Sequence, residues 1–307
     1  MTSYRRMRSQ SGRSAAPARR VIFGALLASA LLLLQGASLP GSASTGPAPN
    51  ADTVAFGTAA PGATPVPTPI GSASSPMMDG IDEPSIVRPL PNGCQLPPAV
   101  NPAPVVHHGS RAAKVVALTF DDGYGPENTK KILQILQHSK VNATFLPVGA
   151  AVIREPDTWK AVVAAGFPIA DHTYSHPNLA SLCYADQVRQ LLRQQAAVRR
   201  ILGIDPMPLM RPPYGLYNSL TRRAATDAGD LDVVLWDIDT RDWSGISARQ
   251  IAARALAGTN GSIVLMHTMM PNTTRALPRI IAAYRKRGFT FVTLGQLLDV
   301  PGPIPYH

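Results

Sequence analysis

Two carboxylates stand side by side in Thr119-Phe120-Asp121-Asp122-Gly123, directly after the apolar run Val115-Val116-Ala117-Leu118. A run of β-branched, aromatic and small apolar residues reads as a buried strand, and two charges at its end call for partners. Successive strand side chains point to opposite faces, so Asp121 and Asp122 can serve different partners only where the strand opens into a loop, which Gly123 and Gly125 permit. A second segment with chemical potential is Asp171-His172-Thr173-Tyr174-Ser175-His176-Pro177. Two imidazoles four residues apart can face one point if the segment makes a helical turn, although Pro177 disfavours a helix running through His176. With one carboxylate they form a facial set of two histidines and an aspartate, the donor set of a divalent-metal site that leaves positions for water and substrate. Three further segments concentrate polar groups: Arg211-Pro212-Pro213-Tyr214, Asp239-Thr240-Arg241-Asp242-Trp243 and Leu265-Met266-His267. Taken singly, each has a plainer reading as a solvated turn, a surface arginine, a core tryptophan or a satisfied core histidine.

The elements that must position these residues alternate along the chain after Arg111. Hydrophobic patterning predicts strands over 114–120, 142–147, 167–170, 207–210, 232–236, 262–266 and 289–293, and helices over 126–139, 149–165, 184–202, 218–228, 247–258 and 274–287. Strands alternating with amphipathic helices imply a parallel sheet covered by helices. About seven strands in roughly 190 residues predict an α/β fold, a distorted (β/α) barrel of about seven parallel strands forming a single catalytic domain. In such folds chemistry gathers at the carboxyl ends of the strands, and each segment named above lies at or shortly after such an end.

The amino-terminal third has a different composition. Six arginines precede any acidic residue and carry six of the ten net positive charges, so the chain beyond residue 43 holds only +4. That remainder suits an anionic polymer but is no nucleic-acid footprint, since no Lys/Arg run is interleaved with aromatics. The basic segment is followed by fourteen mostly apolar residues, Val21 to Leu34, and then by small residues through Ala43. This pattern predicts a signal peptide or signal anchor over 1–43, and an extracytoplasmic protein that is secreted or held to a membrane only through residues 21–43. About half of the thirty prolines fall before Arg111, and residues 44–110 are rich in Pro, Ala, Ser, Thr and Gly. Such a composition buries too little apolar surface to offset its ordering entropy and predicts a disordered linker, followed by a catalytic domain at 111–300 and a tail at 301–307. Cys94 and Cys183 are the only cysteines. In an oxidising compartment a disulfide and two free thiols are equally open from the sequence. His107 and His108 are adjacent, so their side chains diverge and do not read as a metal pair.

Together the five segments resemble, in order, the motifs of the polysaccharide deacetylases, carbohydrate esterase family four with its chitooligosaccharide deacetylase homology domain. The resemblance covers about residues 112–299. It implies that Asp121 is the catalytic base and Asp122 a metal ligand, with His172 and His176 completing the metal site. It implies that Arg211 positions the base and that the Tyr214 backbone N–H helps bind the oxyanion. It further implies that Asp242 tunes the acid histidine, that Trp243 walls the substrate groove with Asp239 nearby, that Leu265 lines an acetyl pocket, and that His267 is the general acid. One divalent ion is expected, zinc first for two imidazoles and one carboxylate, with cobalt or nickel as alternatives. The implied partner is an acetylated polysaccharide acted on by a monomer. Neither the polymer nor a preference between N- and O-acetyl groups follows.

Two departures from the family pattern stand out. Asp122-Gly123-Tyr124-Gly125-Pro126 is longer than the usual Asp-Gly-Pro, and Thr268 replaces the acidic residue that often follows the last histidine. Two rival classes share the fold. A catalytically silent wall-binding module should have lost a metal ligand or the base, and a hydrolase of small cyclic amides needs no export signal.

Overall fold

The computed structural model describes Cys94 and residues 101–302. The segment expected to be a signal peptide or anchor, the rest of the expected linker before Asn101 and the last five residues lie outside the described residues. No helix among the described residues is long and apolar enough to cross a membrane.

In chain order the elements are β1 (Val105–Val106), β2 (Val115–Asp122), α1 (Pro126–Ser139), β3 (Thr144–Pro147), α2 (Gly149–Arg154), α3 (Pro156–Ala164), α4 (Tyr184–Leu202), β4 (Leu209–Met210), α5 (Ser219–Ala228), β5 (Asp232–Val234), β6 (Ile238–Asp239), α6 (Ala248–Ala255), β7 (Ser262–His267), α7 (Pro271–Lys286), β8 (Thr290–Phe291) and α8 (Leu294–Leu298). Every pairing between these strands is parallel. One sheet runs β3-β2-β7-β6 with β8 also on β2, and a second runs β1-β5-β4. The segment between them bridges the two, with Ile169 opposite Phe145 and Asp171 opposite Met210.

Strand β2 is the axis of the site because its two faces do different work. Val116, Leu118 and Phe120 join the larger core with residues of α1 and α7, and Phe120 stacks on Phe145 at 5.3 Å. Ala117 belongs instead to the inner cluster with Leu146, Val234 and Ile263. Period-two alternation therefore carries Thr119 and Asp121 toward the inner face, above an apolar floor. Each side chain fully buried on the outer face contributes about 1.5–3 kcal/mol of transfer free energy, which anchors the strand that carries the two aspartates.

Three expectations need correction. The helix expected over 149–165 is two helices, because Pro156 excludes its predecessor from the helical region and Glu155 sits at φ −129°, ψ 55°. The strand expected over 167–170 makes only isolated bridges, since Pro168 has no N–H to give to a ladder. The ordered fold also begins before residue 111: Val105 and Val106 pair with Val233 and Val234, and Ala103 is buried. Two valines after Pro104 can complete a sheet edge despite the linker-like composition around them.

Cys94 is joined to Cys183, with Cα atoms 5.2 Å apart. Cys183 is the residue that precedes α4, so the bridge ties the chain upstream of the fold to the start of that helix.

Candidate active site

The carboxyl ends of β2, β4 and β7 and the loops after 171 and 239 converge on one cluster. Asp122 Oδ1 lies 3.5 Å from His172 Nε2 and 3.2 Å from His176 Nε2, and Asp121 Oδ2 lies 3.9 Å from His172 Nε2. One ligand atom from each of Asp122, His172 and His176 falls within 4.8 Å of the others. His172 Nδ1 is 2.8 Å from the Arg211 carbonyl oxygen. That acceptor requires the proton on Nδ1, which leaves the Nε2 lone pair facing the carboxylates. Burial alone would raise the Asp122 pKa, but imidazolium forms of His172 and His176 would outweigh it through hydrogen bonds, helped by the charge of His172 and His267, and hold the carboxyl well below the usual range. Its Oδ1 is buried and has no conventional hydrogen-bond partner. An ionised oxygen enclosed by two imidazole nitrogens and satisfied by no N–H or O–H fits a cation between the three groups.

The two histidines are not on a helical turn. Thr173 and His176 have φ of 67° and 62°, and this left-handed loop brings the ring centroids to 5.0 Å. Such backbone is costly for non-glycine residues and persists where surroundings fix it. Here Asp171 Oδ1 accepts from Thr173 N at 2.7 Å, Thr173 Oγ1 accepts from His176 N at 3.1 Å, and the Gln190 side-chain oxygen accepts from Tyr174 N and Ser175 N at 3.1 and 3.0 Å. Gln190 comes from α4 and gave no sequence signal, because its partner lies in a separate loop fifteen residues away.

Asp121 is held from the other side. Arg211 Nη1 donates to Asp121 Oδ1 at 2.7 Å and to Thr119 Oγ1 at 2.9 Å, while Nε and Nη2 donate to the carbonyls of Val234 and Leu235 at 3.2 and 3.1 Å. The guanidinium is fully buried, so its charge is compensated by one carboxylate and fixed by three further acceptors. Tyr214, next along, has φ 61°, and its ring packs edge-on against His176 at 4.7 Å while remaining 63% exposed.

Opposite the metal-type cluster, Asp242 grips His267 twice. Its Oδ1 is 2.7 Å from His267 Nδ1 and its Oδ2 accepts from His267 N at 2.8 Å. Thr273 Oγ1, from α7, donates to the same Oδ2. Burial pulls the His267 imidazolium pKa down, but the hydrogen bond and charge of Asp242, with Asp122 and Asp121 beyond, override it and push it up to about 9. Trp243 follows Asp242 and is half exposed at the rim. Asp239 turns back on its own loop, its Oδ1 accepting from Arg241 N at 2.7 Å. Leu265 is buried on β7 two residues before His267, on the same face of the strand by alternation. The residues singled out from the sequence thus come to one end of the sheet, with Asp239 directed into its own turn rather than outward.

A family model described as polysaccharide deacetylase matches residues 108–230. The peptidoglycan-N-acetylglucosamine deacetylase PgdA of Listeria monocytogenes is 34% identical over 189 residues, covering 61% of this chain and 40% of that protein. The chain therefore spans well under half the length of that relative. A chitooligosaccharide deacetylase of Sinorhizobium fredii is 34% identical over 205 residues, covering 62% of this chain and 95% of that one. Among solved structures, the Bc1960 peptidoglycan N-acetylglucosamine deacetylase superposes with a TM-score of 0.62 at 33% identity, over 64% of this chain and 94% of that one. With near-complete coverage of a relative above 30% identity and a shared arrangement of parallel strands and helices, the chain belongs to the polysaccharide deacetylase family.

Proposed function

We propose that the domain is a divalent-metal-dependent hydrolase that removes acetyl groups from an N-acetylated cell-wall or extracellular polysaccharide. The observation that carries this reading is the buried, unpartnered Asp122 oxygen facing two imidazole nitrogens, placed between a carboxylate held by arginine and a histidine held by aspartate. Asp122, His172 and His176 would hold the ion, zinc first by donor type. When bound, such an ion supplies Lewis acidity toward the acetyl carbonyl and lowers the pKa of a nearby water toward ~7.

The remaining roles fall to the chain's own groups. Asp121 takes a proton from the attacking water, and Arg211 holds the carboxylate in place without occupying Oδ2. The Tyr214 backbone N–H is the donor for the oxyanion, a role worth roughly 3 kcal/mol where such donors have been removed. His267 gives its proton to the departing sugar nitrogen, and Asp242 keeps that proton available through neutral pH. Trp243 walls the groove, Leu265 backs the acetyl group and Asp239 shapes the loop between them.

The relatives named above act on peptidoglycan and on chitooligosaccharides, and a glycan bearing N-acetylglucosamine is the substrate class we propose. The domain acts outside the cytoplasmic membrane as a monomer, released or tethered through residues 21–43 after a linker. Acetate release from a panel of peptidoglycan, chitooligosaccharides and acetylated xylan, with metal content measured on the same preparation, tests the reading. We expect about one ion per chain and activity lost on chelation and restored by zinc. Full metal occupancy in a His172→Ala/His176→Ala double variant would overturn the ligand set. A metal-loaded chain inert on every glycan would leave the silent wall-binding module as the better description.

A further inference from the structure

Adjacent strand residues point to opposite faces, yet Asp121 and Asp122 both reach His172 Nε2, at 3.9 and 3.5 Å. The break in alternation is at Asp122, which has φ 75° and lies inside a three-residue turn closed by Gly123 N donating to the Asp121 carbonyl at 3.1 Å. A γ-turn with positive φ at its centre is the rare, strained form, and an L-residue stays there only if its neighbours hold it. The Asp122 carbonyl is held from one side by Val148 N at 3.0 Å. From the other side Thr268, fully buried and immediately after His267, reaches both ends of the turn. Its Oγ1 accepts from Gly123 N at 2.9 Å and lies 3.2 Å from the Asp121 carbonyl oxygen, to which its own N also donates at 3.1 Å.

We propose that Thr268 is a positioning residue whose hydroxyl staples this γ-turn and so aims the Asp122 carboxylate at His172 and His176. A hydroxyl can accept from Gly123 and donate to Asp121 at once, whereas an ionised carboxylate only accepts and would set its charge against the Asp121 carbonyl. The two departures from the family pattern are thereby one device. The longer loop Gly123-Tyr124-Gly125 passes over Thr268, with the Tyr124 carbonyl 3.5 Å from its Oγ1, and Gly125 lies close against Met269. Gly123 has φ 92° and a Cβ there would meet the Trp159 ring at 2.6 Å, so the loop cannot relax toward that side. The same strand end therefore delivers His267 to one side of the site and fixes Asp122 on the other.

The inference rests on Asp122 as a metal ligand, and the test separates the two. Zinc affinity of the full chain is measured by competition with a chromophoric chelator, well below the unfolding temperature, for wild type, Thr268→Val and Thr268→Ser. We expect the valine variant to bind zinc about tenfold or more weakly, the scale for losing a group that orients a ligand, and the serine variant to stay within about twofold of wild type. Acetate release should lose kcat in step with affinity at saturating zinc while KM stays nearly constant. Thr268→Ala removes the same hydroxyl with less bulk and gives the reading if the valine chain does not fold. Wild-type affinity in the variants lacking the hydroxyl, or a serine variant as weak as they are, would overturn the staple. A wild-type chain with no affinity for zinc would instead remove the ligand assignment on which it stands.

Discussion

Asp242 holds His267 by ring and backbone together, its two carboxylate oxygens 2.7 Å from Nδ1 and 2.8 Å from the amide N. Burial favours the neutral imidazole, so a pKa near 9 depends on that carboxylate, with smaller help from Asp122 and Asp121. Because the folded value lies above the ordinary 6.5, the proton is present throughout the neutral range and is lost as pH rises through about 9. The high-pH limb of acetate release should therefore fall near 9 or somewhat below it, since a bound cation offsets part of the carboxylate charge. Asp242→Asn should move that limb to lower pH by roughly 1–3 units, the range for losing a close opposite charge, with zinc content unchanged. A limb that stayed in place would assign the acid to another group. The same sign governs stability: the wild-type contribution of this pair is complete below about 6.5 and disappears through about 9, so the pH dependence of Tm in that window should flatten in the variant.

Much of this arrangement was legible because the informative residues sit in short windows after strands. Asp121 and Asp122, Arg211 and His267 each end an apolar run, and parallel strands bring all their carboxyl ends to one side. What could not be read depends on distant or two-residue contacts. Val105–Val106 and Ile238–Asp239 are too short to show a period, so β1 and β6 left no pattern. The break at Glu155 was carried by Pro156, a signal that the long apolar periodicity on either side obscured. The γ-turn at Asp122 and its contact with Thr268 leave no mark in the sequence, because Thr268 lies 145 residues from Gly123 and nothing in its type names that partner.

Arg211 and Asp121 should separate stability from chemistry. Removing the guanidinium in Arg211→Met leaves a buried carboxylate beside three unused acceptors, at a cost of about 3–5 kcal/mol, or roughly 10 °C or more in Tm for a domain of this size. Asp121→Asn keeps an oxygen for Arg211 and should unfold within a few degrees of wild type, yet lose turnover by about a hundredfold or more, the scale for a missing general base. Thermal melts and initial rates on both variants check the split. An asparagine variant with near-normal turnover would remove Asp121 from the role of base.

Trp243 stands half exposed beside the buried Asp242, so it can be cut back without disturbing the histidine below. A tryptophan face at the rim of a sugar site acts through apolar and stacking contact that is present in ground state and transition state alike. Trp243→Ala should raise KM several-fold for oligosaccharides, with kcat within about twofold and the pH profile unchanged. A fall in kcat at constant KM would place the side chain in the chemistry itself.

The disulfide is expected to matter for stability more than for catalysis. Cys94 and Cys183 close a loop of 89 residues, and a bridge of this kind typically stabilises a fold by about 2–4 kcal/mol. Cys183 precedes α4, and α4 carries Gln190, which holds the loop bearing His172 and His176, so the start of this helix is linked to the two imidazoles. Other contacts stand between the bridge and that loop, however. Gln187 donates to the Leu182 carbonyl at 2.9 Å, and Asn218 donates to the Ala180 carbonyl at 3.2 Å, which pins the short turn before Cys183 independently of sulfur. The Cys94→Ser/Cys183→Ser variant should accordingly melt several degrees lower than wild type, and wild type treated with reductant should melt at the same lower temperature. At 25 °C the variant should retain zinc affinity and turnover within about twofold. Loss of zinc affinity at a temperature where the fold is intact would show that the bridge, rather than these hydrogen bonds, sets the position of the His172–His176 loop.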